Sequence, residues 1–112
     1  MTLQTAGVVW ADLGAGGTSD PFTITSSAQA IEVASTVLAI DAGDTLTVFA
    51  DVQDTAGNWV QAAALTAQTA TGTQTSLVSS LSAVTPNFTP VARLRWATTA
   101  GSVAALLVAV GR

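Results

Sequence analysis

Residues 91–112 read VARLRWATTAGSVAALLVAVGR, and this stretch decides the fold class. Apolar and arginine side chains alternate over 92–96, which is typical of a β-strand with one buried and one exposed face. Residues 103–110 are apolar at every position, so both faces of that second strand need cover, from a second sheet and a neighbouring element or from another protein chain. The small residues at 98–102 predict a tight turn, and the whole stretch therefore predicts a β-hairpin.

Further short strands are predicted along the rest of the chain. The clearest is 45–52, in which every even-numbered position is apolar, followed by turn residues at 54–58 and a return strand at 59–66. The other assignments are strands at 22–25, at 30–40 (with Ile31 to Ala39 alternating on one face) and at 77–84, a loop or edge strand at 66–76, and a rigid connector at 85–90, where two prolines exclude a central strand.

The number and spacing of these strands predict the architecture. Seven or eight short strands, with no capped amphipathic helix among them, predict an all-β fold, either an antiparallel β-sandwich or a small jelly-roll-like barrel. Residues 14–21 are rich in glycine and end at a proline. We therefore expect 1–21 to form an N-terminal arm and flexible loop, and 22–112 to form the sandwich domain. The arm would lie along a neighbouring subunit or form a plain first strand.

The composition excludes several classes of function. The chain has no histidine, lysine, cysteine or tyrosine, which removes most side chains used in acid–base, nucleophilic and metal-binding chemistry, so we expect no enzymatic activity and no cofactor. The net charge of −4 argues against nucleic-acid binding, which depends on cationic side chains. The longest apolar run, 103–110, is far shorter than the roughly 20 residues of a membrane-spanning helix, so no membrane partner is expected.

The low charge content points to protein partners. Only 9% of the residues are charged, against about 25% in ordinary globular domains. So few charges cannot cover a free monomer, and we expect part of the surface to be buried against other proteins. All seven acids precede residue 55 and all three arginines follow residue 92. They form either acidic turns and one arginine-bearing strand face, or complementary poles through which copies of the chain pack together.

Two carboxylate pairs are the best candidates for chemistry. Asp41 with Asp44, and Asp51 with Asp54, could form an acid–base pair if their environments differed. Both pairs lie in or beside predicted turns, where acids commonly cap backbone groups, so a structural role is favoured. A calcium site at 51–58 stays open as an alternative, although the spacing matches no known calcium loop.

Tryptophans and arginines are the other candidates. The three tryptophans form either a sugar-stacking platform or, as is commoner in a sandwich, anchors in the core or at an interface. Arg93 and Arg95 share one strand face. There they either grip an acid on a partner or pair within the chain with a cross-strand acid such as Asp51.

The order of motifs after residue 40 carries a family resemblance. An LTV strand at 46–48, an Asp/Gly turn leading to tryptophan at 54–59, an Arg-x-Arg strand at 93–96 and a valine-rich last strand at 103–111 follow one another. This order resembles small β-sandwich proteins encoded among the virion genes of tailed bacteriophages. The resemblance implies a non-enzymatic structural protein of the virion, assembled in the host cytoplasm, and within that class a capsid decoration or cement subunit.

Such a subunit would contact the major capsid protein or other virion proteins and would form a homo-oligomer, for example a trimer. Two alternatives stay open: a carbohydrate-binding sandwich on a tail appendage, and a structural protein of the tail or neck. The residues expected at the partner contacts are Trp59, Arg93, Arg95, Trp96, Leu106, Val108 and Val110.

Overall fold

The computed structural model describes residues 4–10, 16–24, 29–99 and 103–111. Within them nearly every element is a strand, as the sequence predicts. The elements are β1 (Gln4–Trp10), β2 (Gly17–Thr18), β3 (Phe22–Thr23), β4 (Ile31–Ile40), β5 (Leu46–Asp54), β6 (Trp59–Ala64), β7 (Gly72–Val78), α1 (Leu81–Val84), β8 (Phe88–Thr98) and β9 (Val103–Gly111).

The strands form two antiparallel sheets. Sheet 1 has the order β1-β9-β4-β7, and sheet 2 has the order β2-β8-β5-β6, with β3 pairing along β8 beside β2. The pairs are nested, because the first strand pairs with the last, β2 and β3 pair with β8, β4 pairs with β7, and β5 pairs with β6. If β2 and β3 are counted as one interrupted strand, this is an eight-stranded jelly roll. The predicted fold class is confirmed.

The core lies between the two sheets and is built by period-two alternation. Odd-numbered positions of β4 and β9 face even-numbered positions of β5 and β8 across the sandwich. Leu81 of α1 and Ile24, next to β3, are also fully buried in this core. The buried inward-facing side chains of the four central strands are Ile31, Val33, Ser35 and Val37; Leu46, Val48, Ala50 and Val52; Ala92 and Leu94; and Val103, Ala105, Leu107 and Ala109.

The stretch 91–112 does not form the predicted hairpin. β8 lies in sheet 2 beside β5, whereas β9 lies in sheet 1 between β1 and β4. The chain therefore crosses from one sheet to the other between Thr98 and Val103, and residues 100–102 of the predicted turn lie outside the described residues. The prediction was wrong because a short polar segment marks a reversal of direction equally well when the two strands pair and when they pack across a core.

Two more predictions fail, one at each end of sheet 1. The strand predicted at 77–84 ends at Val78, and Leu81–Val84 is a single helical turn. Tertiary packing overrides local preference here, because the turn places Leu81 at zero exposure in the core. In β4 the predicted alternation holds only to Val37, after which a bulge turns Ile40 toward the core and leaves Ala39 exposed.

The predicted connector at 85–90 is also only partly correct. β8 begins at Phe88 and includes Pro90, although β8 is a central strand. Val52 pairs with Ala92 and Asp54 pairs with Phe88, so two extra residues of β8 are accommodated opposite β5. Pro90 lies in this bulge, where the ladder is interrupted and the missing proline N–H leaves no gap in it. Central strands tolerate proline at such bulges.

The N-terminal segment forms a first strand. β1 pairs with β9 over its whole length, from Gln4 opposite Gly111 to Trp10 opposite Ala105. The predicted boundary at residue 21 thus separates β1 from a sheet to which it is hydrogen-bonded. The predicted glycine-rich loop lies partly outside the described residues, and its later part contains β2.

A buried glutamine links the two sheets along one side. The backbone of Gln68 exchanges hydrogen bonds with Leu46 of sheet 2, at 2.8 and 2.9 Å. Its side chain reaches sheet 1, where Oε1 accepts from the Ser35 hydroxyl at 2.7 Å and Nε2 donates to the carbonyls of Ser35 and Gly72 at 3.3 and 3.1 Å. Both Ser35 and Gln68 are buried. A single side chain therefore gives the buried Ser35 hydroxyl its acceptor and adds a donor to two backbone carbonyls.

We expect Gln68→Leu to lower the free energy of unfolding by about 1–3 kcal/mol, because the Ser35 hydroxyl and two carbonyls lose their partner. Adding Ser35→Ala should recover part of this loss, since one unpaired group is removed with it. Urea denaturation of the two single variants and the double variant measures the effect. A double variant whose loss equals the sum of the single losses would contradict the link.

Candidate functional site

The outer face of sheet 2 carries a compact polar cluster on its two central strands. Asp51 of β5 pairs in register with Arg93 of β8, and Phe49 pairs with Arg95. These odd-numbered positions point away from the core because the even-numbered positions of both strands fill it. We call Asp51, Arg93 and Arg95, with Phe49, Trp59 and Gln61 around them, the arginine cluster.

The Asp51 carboxylate is the centre of the cluster. Its Oδ2 accepts from Arg93 Nε at 2.9 Å and from Arg95 Nε at 2.7 Å, and its Oδ1 accepts from Arg95 Nη2 at 3.0 Å. The Asp51 side chain is only 3% exposed, whereas those of Arg93 and Arg95 are 26% and 32% exposed. A buried carboxylate is therefore stabilised by two guanidinium groups that keep contact with solvent.

Aromatic rings fix the planes of both arginines. The guanidinium carbon of Arg93 lies 4.4 Å from the centroid of the Trp59 ring, and that of Arg95 lies 4.7 Å from the centroid of the Phe49 ring. Both distances are within the range of cation–π attraction. Arg95 Nη2 also donates to Gln61 Oε1 at 2.9 Å. Each guanidinium is thus held by a carboxylate along one edge and by a ring across one face.

The cluster is the cationic part of the described surface. Two arginines against one aspartate leave a formal charge of +1. Every ionisable side chain outside the cluster within the described residues is acidic, namely Asp20, Glu32, Asp41, Asp44 and Asp54. Over the described residues, the uneven charge distribution predicted from the sequence therefore forms one cationic site in the middle of a sheet face, with acids elsewhere.

The structure brings together three of the predicted contact residues and answers one open question. Trp59, Arg93 and Arg95 lie side by side on the outer face of sheet 2. Of the two roles left open for the arginines, pairing with Asp51 within the chain is present. Sequence reasoning missed Phe49 and Gln61. The alternation within each strand places them on the same face as the arginines, but only the register between strands brings them into contact, and the sequence does not give that register.

The other predicted contact residues lie elsewhere. Leu106 and Val108 of β9 are partly exposed on the outer face of sheet 1, on the opposite side of the sandwich. Val110 belongs to the same strand and pairs with Glu32, but its side chain lies outside the described ones. Trp96 is on the inward side of β8 and packs against the core, so close to Gly17 that a Cβ there would lie 2.7 Å from Trp96 Cζ2.

The outer face of sheet 1 contrasts with the arginine cluster in its charge. Glu32 is the single ionisable residue in the sequences of β1, β4, β7 and β9. Its described outward positions combine alanine, threonine and larger aliphatic side chains, and Leu77 and Leu38 are 50% and 63% exposed. The partly or largely exposed side chains of this face are Ala34, Thr36 and Leu38 on β4, Thr73, Thr75 and Leu77 on β7, and Ala104, Leu106 and Val108 on β9.

The Asp51 and Asp54 carboxylates, considered for catalysis or calcium, have other contacts. Asp54 Oδ1 accepts from the backbone N–H groups of Ala56 and Asn58, both at 2.9 Å, and so closes its own turn. Asp51 is bonded to the arginines. Among the described residues no three side chains of the His, Cys, Asp or Glu type come together as metal ligands.

Two further features of the described residues bear on ligand classes. A cavity of about 260 Å³ is lined by 67–74, and none of its lining residues is ionisable. No helix in the described part of the chain has the length and apolar character needed to cross a membrane.

Comparison with known proteins gives a structural likeness. The chain matches no protein-family model and no curated protein sequence. Among solved structures it is similar to a chain of the structure of infectious bursal disease virus, Gx strain, with a TM-score of 0.52 at 13% sequence identity. The match covers 98% of this chain and 33% of that one, so this chain spans about a third of its neighbour's length. What the two share is the fold.

We expect Arg95→Met to lower the free energy of unfolding by about 3 kcal/mol, because the buried Asp51 carboxylate loses two of its three donors while Arg93 still donates. Replacing both residues, as Arg95→Met with Asp51→Met, should cost less than Arg95→Met alone, since no buried charge is then left short of partners. Chemical denaturation of both variants tests this. An equal or larger loss in the double variant would show that the carboxylate does not depend on Arg95.

Proposed function

We propose that this chain is a non-enzymatic structural protein of a virion, and within that class a capsid decoration subunit of a tailed bacteriophage. The nested jelly-roll topology carries the proposal, because double-sheet jelly rolls are a common architecture of viral coat proteins. One solved structure to which the fold is similar is that of a virus. The phage-specific part rests on the order of motifs at 46–111.

The outer face of sheet 1 supports a role in assembly. A four-stranded sheet with one ionisable residue, and with leucines that are half-exposed or more, is an unusual exterior for a protein that stays alone in water. Its mixture of alanine, threonine and aliphatic side chains can be desolvated at little cost. We therefore propose that this face packs on the major capsid protein or another virion protein.

The chemistry of the described residues supports a role without catalysis or nucleic-acid binding. The carboxylates of Asp51 and Asp54 are bonded to arginines and to backbone N–H groups. The cavity along 67–74 contains no side chain that could act as an acid or base. The net charge of −4 disfavours approach to a polyphosphate backbone.

The carbohydrate-binding alternative receives little support from the tryptophans. One face of the Trp59 ring is covered by the Arg93 guanidinium, and Trp96 packs inward against the core. Among the described side chains these two rings therefore form no shared platform on which a sugar could stack. A tail or neck location would use the same surfaces as a capsid location, and imaging distinguishes the two.

The test is electron microscopy of tailed-phage particles purified from the source of the sequence, with the chain present and after its gene is deleted. Extra density on the shell that disappears with the gene supports capsid decoration. Density confined to the tail or neck moves the proposal to that part of the particle. Absence of the chain from particles, together with failure of the purified chain to bind them, overturns it.

We expect Leu106→Asn to weaken binding to such particles at least tenfold, because an amide would be desolvated in an apolar contact. Val91→Asn is the matched control, since Val91 is also a partly exposed aliphatic residue on a central strand but lies on the outer face of sheet 2. Co-sedimentation with particles measures both. Equal weakening by the two variants would contradict a contact through sheet 1.

A further inference from the structure

We propose that the arginine cluster is a carboxylate-binding site, and that the carboxylate comes from the Asp41–Asp44 turn of a second copy of this chain. The inference goes beyond the proposed function, since it concerns contact between copies and holds whether or not they assemble on a particle.

The cluster has binding capacity that its internal contacts do not use. A guanidinium has five N–H donors. Arg93 donates through Nε alone, and its two terminal nitrogens donate to no residue in the described part of the chain. Arg95 donates through Nε and Nη2, and its Nη1 likewise has no described acceptor. With 26% and 32% of these side chains exposed, donors on both arginines remain for an incoming oxyanion.

The site is held in place before any ligand arrives. Asp51 fixes one edge of both guanidinium groups, and the rings of Trp59 and Phe49 each lie against one face. Immobilising a free surface arginine normally opposes binding through lost side-chain entropy. Here that loss has already occurred on folding, so a planar carboxylate meets donors in fixed positions.

Charge identifies the class of ligand and its source. After Asp51 is counted, the cluster keeps a charge of +1, whereas every described ionisable residue outside it is acidic. Within the described residues, a second copy therefore presents carboxylates outside the cluster and a cationic site at it. Such complementarity favours contact between the cluster of one copy and an acid of the next.

The Asp41–Asp44 turn is the acid best placed to enter the site. It joins β4 of sheet 1 to β5 of sheet 2 at one end of the sandwich, and the Asp44 N–H donates to the Asp41 carbonyl at 3.1 Å around Gly43, whose φ is +87°. No described residue is bonded to the Asp41 or Asp44 carboxylate, and Asp41 is exposed. The Asp54 carboxylate, in contrast, closes its own turn.

Two described acids remain, and of these Glu32 lies within the ladder of sheet 1, whereas Asp20 is exposed in a connecting segment. It lies between β2 and β3, in a segment held along β8 by the Ser19 N–H, which donates to the Leu94 carbonyl at 2.8 Å. Asp20 is exposed like Asp41 but does not stand at the end of the sandwich. It therefore provides a control of equal charge.

The positions of donor and acceptor make the contact heterologous. Asp51 lies five residues beyond the first residue of β5, which is roughly 17 Å along the strand from the end that carries the turn. One copy would thus contribute its sheet face and the next copy its loop. A repeated contact of this kind closes into a ring or extends into a filament, unlike a two-fold contact between identical patches.

The experiment measures self-association of the purified chain by sedimentation velocity. We expect association in about 50 mM salt that weakens in about 500 mM salt, because partly exposed charges are screened. Arg93→Gln and Asp41→Lys should each weaken it about tenfold or more. Asp20→Lys, which changes the net charge as much as Asp41→Lys does, should leave it close to that of the unaltered chain.

A mixing experiment tests the direction of the contact. Arg93→Gln retains the acidic turn and Asp41→Lys retains the arginine cluster, so a mixture should form one-to-one complexes that neither variant forms alone and that grow no further. Thermal unfolding checks that both variants are folded. If Arg93→Gln is not folded, Arg93→Lys, which keeps a donor for Asp51 but loses the planar fork, replaces it and should show the same loss.

Four results would overturn the inference: a monomer at every concentration in low salt, undiminished association of the Arg93 variant, equal weakening by Asp20→Lys and Asp41→Lys, or a mixture that associates no better than its parts. None of these four results bears on whether the chain binds particles, which is measured in a separate experiment. Loss of particle binding with intact self-association would remove the proposed function and keep this contact.

Discussion

β9 is almost entirely apolar, and its burial needs a hydrogen-bonded strand on each edge and an apolar layer against its inner face. β1 and β4 provide the edges, and the even-numbered side chains of β5 and β8 provide the layer. A strand that is apolar at nearly every position is best accommodated at the centre of a sheet. In this fold β9 is central because the first strand pairs with it on one edge and β4 on the other, and the remaining pairs are nested inside the pair of β1 with β9.

The outer faces of the two sheets differ in how the few charged side chains are distributed. On sheet 2 the few ions are concentrated, and a nearly inaccessible aspartate, two arginines and two rings form one connected set. On sheet 1 charge is almost absent, and threonine and alanine keep the face soluble without making it costly to dehydrate. One face is thus suited to a directional polar contact, and the other to burial over a broad area.

The alternation at 45–52 and 92–96 predicted which side chains enter the core, because period two depends only on local backbone geometry. The segment at 98–102 could not distinguish a hairpin from a crossing between sheets, which is a property of the whole topology. The helical turn at Leu81 and the bulge at Pro90 could not be predicted from local sequence for the same reason, since both depend on packing within the whole fold. Pairing of Asp51 with the arginines was among the predicted alternatives, whereas Gln68 gave no sequence signal, since only the fold brings it to Ser35.

The pairing of Gln4 with Gly111 has a mechanical consequence. Because β1 and β9 are antiparallel, Gln4 and Gly111 lie side by side at one end of sheet 1. Force applied between them would open the β1–β9 ladder one rung at a time, as a zipper opens, instead of loading all its hydrogen bonds together. The same two strands would resist more strongly if they were pulled in opposite directions along their length, because all hydrogen bonds of the ladder would then be loaded together.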